Sequence, residues 1–257
     1  MNFPLPARHN KKLQQLMSRI SEDIELAELY RCVNINAVDR AGMNDHGPVH
    51  VQIVANAALR ILRLLMEAGI EPGLVTEYDL TREDAEVVVV LAACLHDIGM
   101  VVNRDDHERY SIVLGYPKAR RLLEGIYPEP TLTTVCAETM HAIIAHQWDE
   151  QCLTLEAGAV RVGDALDMTQ GRSRIPFEAG QVNIHSVSAM AITEVKITRG
   201  EERPVRIVVE MSNAAGIFQV DELLRRKLNH STLAPHVEVV AEMEEDSEER
   251  LVKVYKL

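Results

Sequence analysis

The stretch LAACLHDIGM (residues 91–100) runs from apolar side chains into His96 and Asp97, and then into Gly99. An imidazole beside a carboxylate at the end of a core-like helix is costly to bury unless something satisfies both. Groups of the same chemistry recur along the chain. His46 and His50 are four apart, on one helical face if that helix begins early enough. Asp105, Asp106, His107 and Glu108 cluster just past the doublet, His141 and His146 close one predicted helix, and Asp164 and Asp167 share a face of another. Imidazoles and carboxylates are divalent-metal ligands. Spacing alone makes this a modest signal, weaker than a paired CxxC or an HExxH, because the residues lie far apart in sequence. Taken singly, each histidine reads as a satisfied core or surface imidazole, and Asp105, Asp106 and Glu108 read as a solvated loop.

The elements that must position these groups are helical through the first two thirds of the chain. Residues 9–33 carry apolar positions with a helical period. Residues 48–68 read as a strong helix, with Pro48 in its first turn and Gly69 just past its end. TREDAEVVVVLAACLHDIG opens with a capping signal at Thr81, so its Val87–Val90 run reads as buried helix rather than strand. Residues 107–125 are helical, with Pro117 predicting two short pieces. TLTTVCAETMHAIIAHQ (131–147) and TLEAGAVRVGDALDM (154–168) complete the set.

Past residue 178 the texture changes: EVKIT and VRIVVEM read as strands, SNAAGIFQVDELLRRKLNH as a helix, and HVEVVAEM and ERLVKVYKL as strands. The expected fold is mainly α: a helical domain over 1–178, then a small α+β domain of ββαββ type over 179–257. An antiparallel sheet with the helix packed on it would bury the apolar face of each.

A formal charge of −12 argues against a general nucleic-acid-binding surface. Cys32, Cys94, Cys136 and Cys152 show no CxxC spacing, so free thiols and a reducing, cytoplasmic compartment are expected. No basic–apolar leader opens the sequence, and EVVVVLAACL meets His96 and Asp97 too soon to span a bilayer.

Together, HVQIVANAA, LAACLHDIG and AVRVGDALDM resemble, in order and spacing, the motifs of the HD superfamily of metal-dependent phosphohydrolases. The resemblance covers roughly residues 40–178. His107 in HERYS and His146 in AIIAHQ match frequent additional positions of that family. The resemblance implies a first metal site of His50, His96, Asp97 and Asp164. It also implies that Asp97 faces the nucleophilic water, and that His107 and His146 hold a second ion or bind phosphate directly. One or two divalent ions (Mn, Fe, Co, Ni, Zn or Mg) are expected, acidifying water and polarising a phosphoryl group. His46 is expected beside that water or the substrate, although HGPVH leaves His46 and His50 as competing ligands, as His141 competes with His146.

Met100 stands where many relatives carry Lys after HDIG, so phosphate-facing charge must come from elsewhere; Arg161, Arg172 and Arg174 are the candidates. The triplet Gly115-Tyr116-Pro117 invites the HD-GYP class of cyclic dinucleotide phosphodiesterases. There it follows a later His-His-Glu segment, so here it reads as a helix break. The expected activity is hydrolysis of a phosphorylated small molecule or nucleotide. The competing classes are a regulatory HD-type module without turnover and a nucleic-acid phosphodiesterase. The C-terminal unit is expected to serve as a lid, a ligand site or a homodimer interface, and no membrane partner is expected.

Overall fold

Helix starts are fixed by side chains that satisfy free amides. In the computed structural model, which describes residues 4–169, 184–243 and 254–256, Asn10 caps α1 (Lys11–Glu22) by accepting from the Leu13 amide. Asp23 does the same for α2 (Ile24–Asn34), so the periodic 9–33 segment is two helices. A π-helical turn, Ile35–Arg40, leads to α3 (Pro48–Glu67), with Gly69 beyond it at φ +82°. The short α4 (Gly73–Tyr78) has its first amides bonded to the buried Glu156 carboxylate at 3.1 and 2.9 Å.

The hub is α5 (Arg82–Leu95), opened by a complete capping box between Thr81 and Asp84. Every residue from Asp84 to Leu95 is buried, and α1, α3, α4, α7 and α8 all pack on it. A helix surrounded in this way has no polar stripe, which is why Val87–Val90 looked ambiguous. A 3-10 turn, Ile98–Val101, joins it to α6 (His107–Leu123), a single helix with Pro117 inside it, rather than the two pieces expected. Val113 and Pro117 are both exposed, so the carbonyl that Pro117 cannot bond lies on the wet side of the helix. Then come α7 (Thr131–Ile144) and α8 (Leu155–Ala165).

The C-terminal unit contains α9 (Ile184–Met190), β1 (Ile192–Arg199), β2 (Val205–Met211), a crossover helix over 214–229 built of mixed 3-10, α and π turns, β3 (Val237–Met243) and β4 (Val254–Lys256). Strand order is β1-β2-β3-β4. β1 runs antiparallel to β2 and β4 to β3, but β2 and β3 are parallel, from Val205 opposite Val237 to Met211 opposite Met243. This corrects the antiparallel sheet expected, because the helix between β2 and β3 carries the chain back to the starting edge. Val205, Ile207 and Val209 of β2 and Val220, Leu224 and Leu228 of the crossover helix join the same core cluster as α3, α5 and α8. The expected boundary at 178/179 lies outside the described residues. By length and composition α3 could cross a bilayer, yet 67% of its apolar window is buried within this fold.

Candidate metal centre

Five helices end at one pole of the bundle, and each brings an imidazole or a carboxylate there. His50 lies in the first turn of α3, His96 and Asp97 directly follow α5, and His107 opens α6. His146 follows α7, and Asp164 sits in the last turn of α8. The chain can double back between α5 and α6 because of Gly99. A Cβ there would lie 2.0 Å from the His107 carbonyl oxygen, and the Gly99 amide donates to Ser111 Oγ at 2.8 Å. At Gly163 a Cβ would meet the Ala58 amide nitrogen at 2.9 Å, so glycine lets α8 approach α3 closely enough to bring Asp164 to His50.

The inner cluster is tight. His50 Nε2 lies 3.1 Å from His96 Nε2, 3.3 Å from Asp97 Oδ2 and 3.3 Å from Asp164 Oδ1. His96 Nε2 lies 3.3 Å from Asp97 Oδ2 and 3.8 Å from Asp164 Oδ1. The other ring nitrogens identify the protons. His50 Nδ1 meets Asp167 Oδ2 at 2.6 Å and His96 Nδ1 meets the Ala93 carbonyl at 2.8 Å, so both Nδ1 atoms donate. In the neutral imidazoles the two Nε2 atoms then present lone pairs to each other and to two carboxylate oxygens. A proton or a metal cation relieves that arrangement. Donor atoms sharing one ion at about 2.1 Å sit roughly 3.0–3.4 Å apart for angles between octahedral and tetrahedral, which matches most of these spacings.

An outer cluster shares Asp97. Its Oδ1 is 3.0 Å from His107 Nε2 and 3.8 Å from His146 Nε2, and the two imidazole nitrogens are 3.3 Å apart. His146 Nδ1 donates to the Ile143 carbonyl at 2.6 Å. His107 Nδ1 faces the Arg104 carbonyl at 2.9 Å and Glu108 Oε2 at 3.4 Å, two acceptors that favour a proton there, with the Arg104 guanidinium also at 2.9 Å. Asp97 thus presents one oxygen to each cluster. The groups His50-His96-Asp97, His96-His146-Asp164 and Asp97-His107-His146 are each compact enough to hold a metal ion.

The titration behaviour reflects concentrated negative charge. Burial opposes protonation of His50, but Asp164, Asp167 and Asp97 outweigh it and raise its pKa well above the usual value. His96 is likewise lowered by burial but lifted by Asp97 and Asp164, to about 9. Burial works to raise Asp97, whereas His96, His107 and His50 hold it well below the ordinary carboxylate range. Asp164 is raised by burial and pulled down further by Lys227, His50 and His96. His146 is pushed well below its ordinary value by burial and then by the charge of His96, so it is neutral. Protons therefore fill the pole when nothing else does, and a divalent cation competes for the same atoms.

His50, His96, Asp97, Asp164, His107 and His146 are thus brought together. His46 stands beside them, its ring centroid 5.2 Å from that of His50 and its Nδ1 donating to the Asn44 carbonyl at 2.7 Å. His141 is directed away, accepting from the Leu153 amide at 3.2 Å. Arg161, expected to meet phosphate, is corrected: it is fully buried and donates to the carbonyls of Ala145, Gln147, Glu150 and His230. A guanidinium lying between the loop after α7 and the end of the crossover helix spends its donors on backbone oxygens before any substrate can use them. Glu108 is also corrected, since it is buried against His107 rather than solvated. Arg172 and Arg174 lie outside the described residues. Asp167 and Lys227 were not assigned from sequence. The shared face with Asp164 was a signal for Asp167, but nothing local pointed to Lys227.

The HD domain family matches residues 54–169, so His50 falls just before the matched span and rests on geometry. A protein of Methanocaldococcus jannaschii, itself described as uncharacterized, is 43% identical over 213 residues, covering 83% of this chain and 82% of that protein. No solved structure matches the chain.

Proposed function

The chain belongs to the HD-domain superfamily, and on that premise we propose that it is a metal-dependent phosphohydrolase cleaving a phosphoester of a small molecule or nucleotide. The observation that carries this reading is the convergence of imidazole nitrogens and carboxylate oxygens around the two oxygens of Asp97. His50, His96, Asp97 and Asp164 would hold one divalent ion, and Asp97, His107 and His146 a second. Such ions supply a polarised phosphoryl oxygen and a water of lowered pKa.

The protein's own contribution is placement. Asp167 keeps the His50 proton on Nδ1, and the Ala93 and Ile143 carbonyls do the same for His96 and His146. Asp97, with an oxygen on each side, orients the attacking water between the clusters. His46, whose ring lies next to that of His50, would take up or return a proton there. Arg161 fixes the turn after α7 and so the position of His146.

The test is metal analysis of purified protein together with a hydrolysis panel of aryl phosphate, bis-aryl phosphate, deoxynucleoside triphosphates and cyclic dinucleotides, with Mn, Co, Ni or Mg. Turnover of at least one substrate is expected, and Asp97→Ala should abolish both metal content and activity. Full metal occupancy without turnover would instead favour a binding module.

A further inference from the structure

Among the described residues, neither expected position supplies a cation facing the substrate phosphate, since Met100 is buried with Val33 and Ala37, and Arg161 is committed to backbone carbonyls. Among the described residues the pole of the bundle also holds a lysine that arrives from the C-terminal unit. Lys227, near the end of the crossover helix, bonds through Nζ to Asp164 Oδ2, while Oδ1 of the same carboxylate faces His50 and His96. Asp164 therefore presents one oxygen to the inner cluster and one to an ammonium. The side chains of Asp164 and Lys227 are each 17% exposed, against 6% or less for His50, His96, Asp97, His107 and His146. The ammonium thus stands on the most accessible flank of the donor cluster.

A fixed cation beside a cation-binding cluster weakens metal binding by Coulomb repulsion unless an anion completes the set. Lys227 is held there nonetheless. Leu224 and Leu228 of its helix are buried in the common core, Arg161 of α8 donates to the His230 carbonyl, and Thr232 Oγ1 donates to the Thr154 carbonyl at 2.9 Å. Its neighbour Arg226 stacks 3.4 Å from the centroid of Trp148, tying the helix to the turn that carries His146. The other nearby cation, Arg104, addresses Nδ1 of His107, on the far side of that ring from Asp97.

We propose that Lys227 is the phosphate-contacting cation of this centre, so that the C-terminal unit completes the substrate site. The inference rests on the phosphohydrolase reading. The test uses full-length wild type, Lys227→Met and Lys227→Arg, titrated with Mn2+ by electron paramagnetic resonance and, once loaded, with inorganic phosphate by calorimetry. Lys227→Met should keep the Mn2+ stoichiometry and bind Mn2+ at least as tightly. Its phosphate affinity should fall about tenfold or more, with partial recovery in Lys227→Arg. Equal phosphate affinity in wild type and Lys227→Met would overturn the proposal, as would weaker Mn2+ binding by the variant, which would make Lys227 a mere support for Asp164. Amine-reactive labelling of loaded wild type, read by mass spectrometry, needs no variant to fold: phosphate should protect Lys227, and unchanged labelling counts against the proposal. A wild type that takes up no Mn2+ overturns the phosphohydrolase reading itself and this inference with it.

Discussion

At the scale of single residues, the centre depends on which nitrogen of each imidazole carries the proton. Asp167 makes that choice for His50 across 2.6 Å. Asp167→Asn keeps an acceptor but loses the charge, and Asp167→Ala loses both. Mn2+ affinity is expected to fall about tenfold in the first and up to about 100-fold in the second. Unchanged affinity in the alanine variant would remove Asp167 from the centre. The outer pair makes a separate claim. His107→Ala and His146→Ala should each lower metal stoichiometry from two to one by elemental analysis, because each leaves Asp97 Oδ1 with one imidazole partner. Stoichiometry that stays the same would leave these histidines as phosphate-binding or structural groups.

At the scale of elements, the angle between α5 and α6 decides whether the outer histidines reach Asp97 at all. Gly99 sets that angle, since a Cβ would overlap the His107 carbonyl and lie 2.4 Å from the Ser111 amide nitrogen. Gly99→Ala should destabilise the protein by about 1–3 kcal/mol in urea unfolding. It should also weaken the outer metal site before the inner one. Wild-type stability together with intact stoichiometry would mean that the first turn of α6 can shift freely. The start of α5 is a second control point, because Asp84 closes the capping box and also accepts from Lys12 Nζ at 2.6 Å and Tyr127 Oη at 2.7 Å. Asp84→Asn should cost about 1–3 kcal/mol at neutral pH by loss of charged hydrogen bonds.

Across the whole molecule, stability is linked to protons and to metal. Burial alone would raise the Asp84 carboxyl, but Lys12, the Thr81 amide and Tyr127 bring it below its ordinary 3.8. Burial likewise opposes ionisation of Glu86, yet Arg63 and Asn10 hold it below 4.5. A carboxyl lowered on folding stabilises the protein above its ordinary pKa, and that contribution is lost as pH falls through the folded value. Thermal stability should therefore decline as pH drops below about 4. The gap between wild type and Asp84→Asn should narrow over the same range, and a gap constant down to pH 2 would contradict the assignment. Under the proposed function a divalent ion acts in the opposite sense, because it would bind the folded pole. Divalent ion at a hundredfold excess over Kd should add about 2.7 kcal/mol, raising Tm by roughly 5–10 °C. A chelator should reverse the gain, and an insensitive Tm would argue against a folded-state metal site.

What could be read along the chain was whatever leaves a local mark. The helices announce themselves through apolar period and caps, and the candidate metal ligands through their place at helix ends: His50 just after Pro48, and His96-Asp97 between an apolar run and Gly99. Asp164 shows itself by sharing a face with Asp167. Those marks, with their order, were enough for the helical class and the α+β tail, and for the resemblance that implied the donor set. Tertiary structure decided the rest, because it depends on how elements dock rather than on what each one is. A single helix survives Pro117 because its broken carbonyl faces water, and β2 and β3 run parallel because of where the crossover helix returns. Arg161, a phosphate candidate by type, is consumed by the carbonyls that its buried position brings within reach. Glu108, one residue from His107, is drawn in by the first turn of α6. Lys227 lies 63 positions beyond Asp164, and no local pattern joins them. Their pairing exists because the crossover helix packs on α8, and a side chain's partner is chosen by that packing.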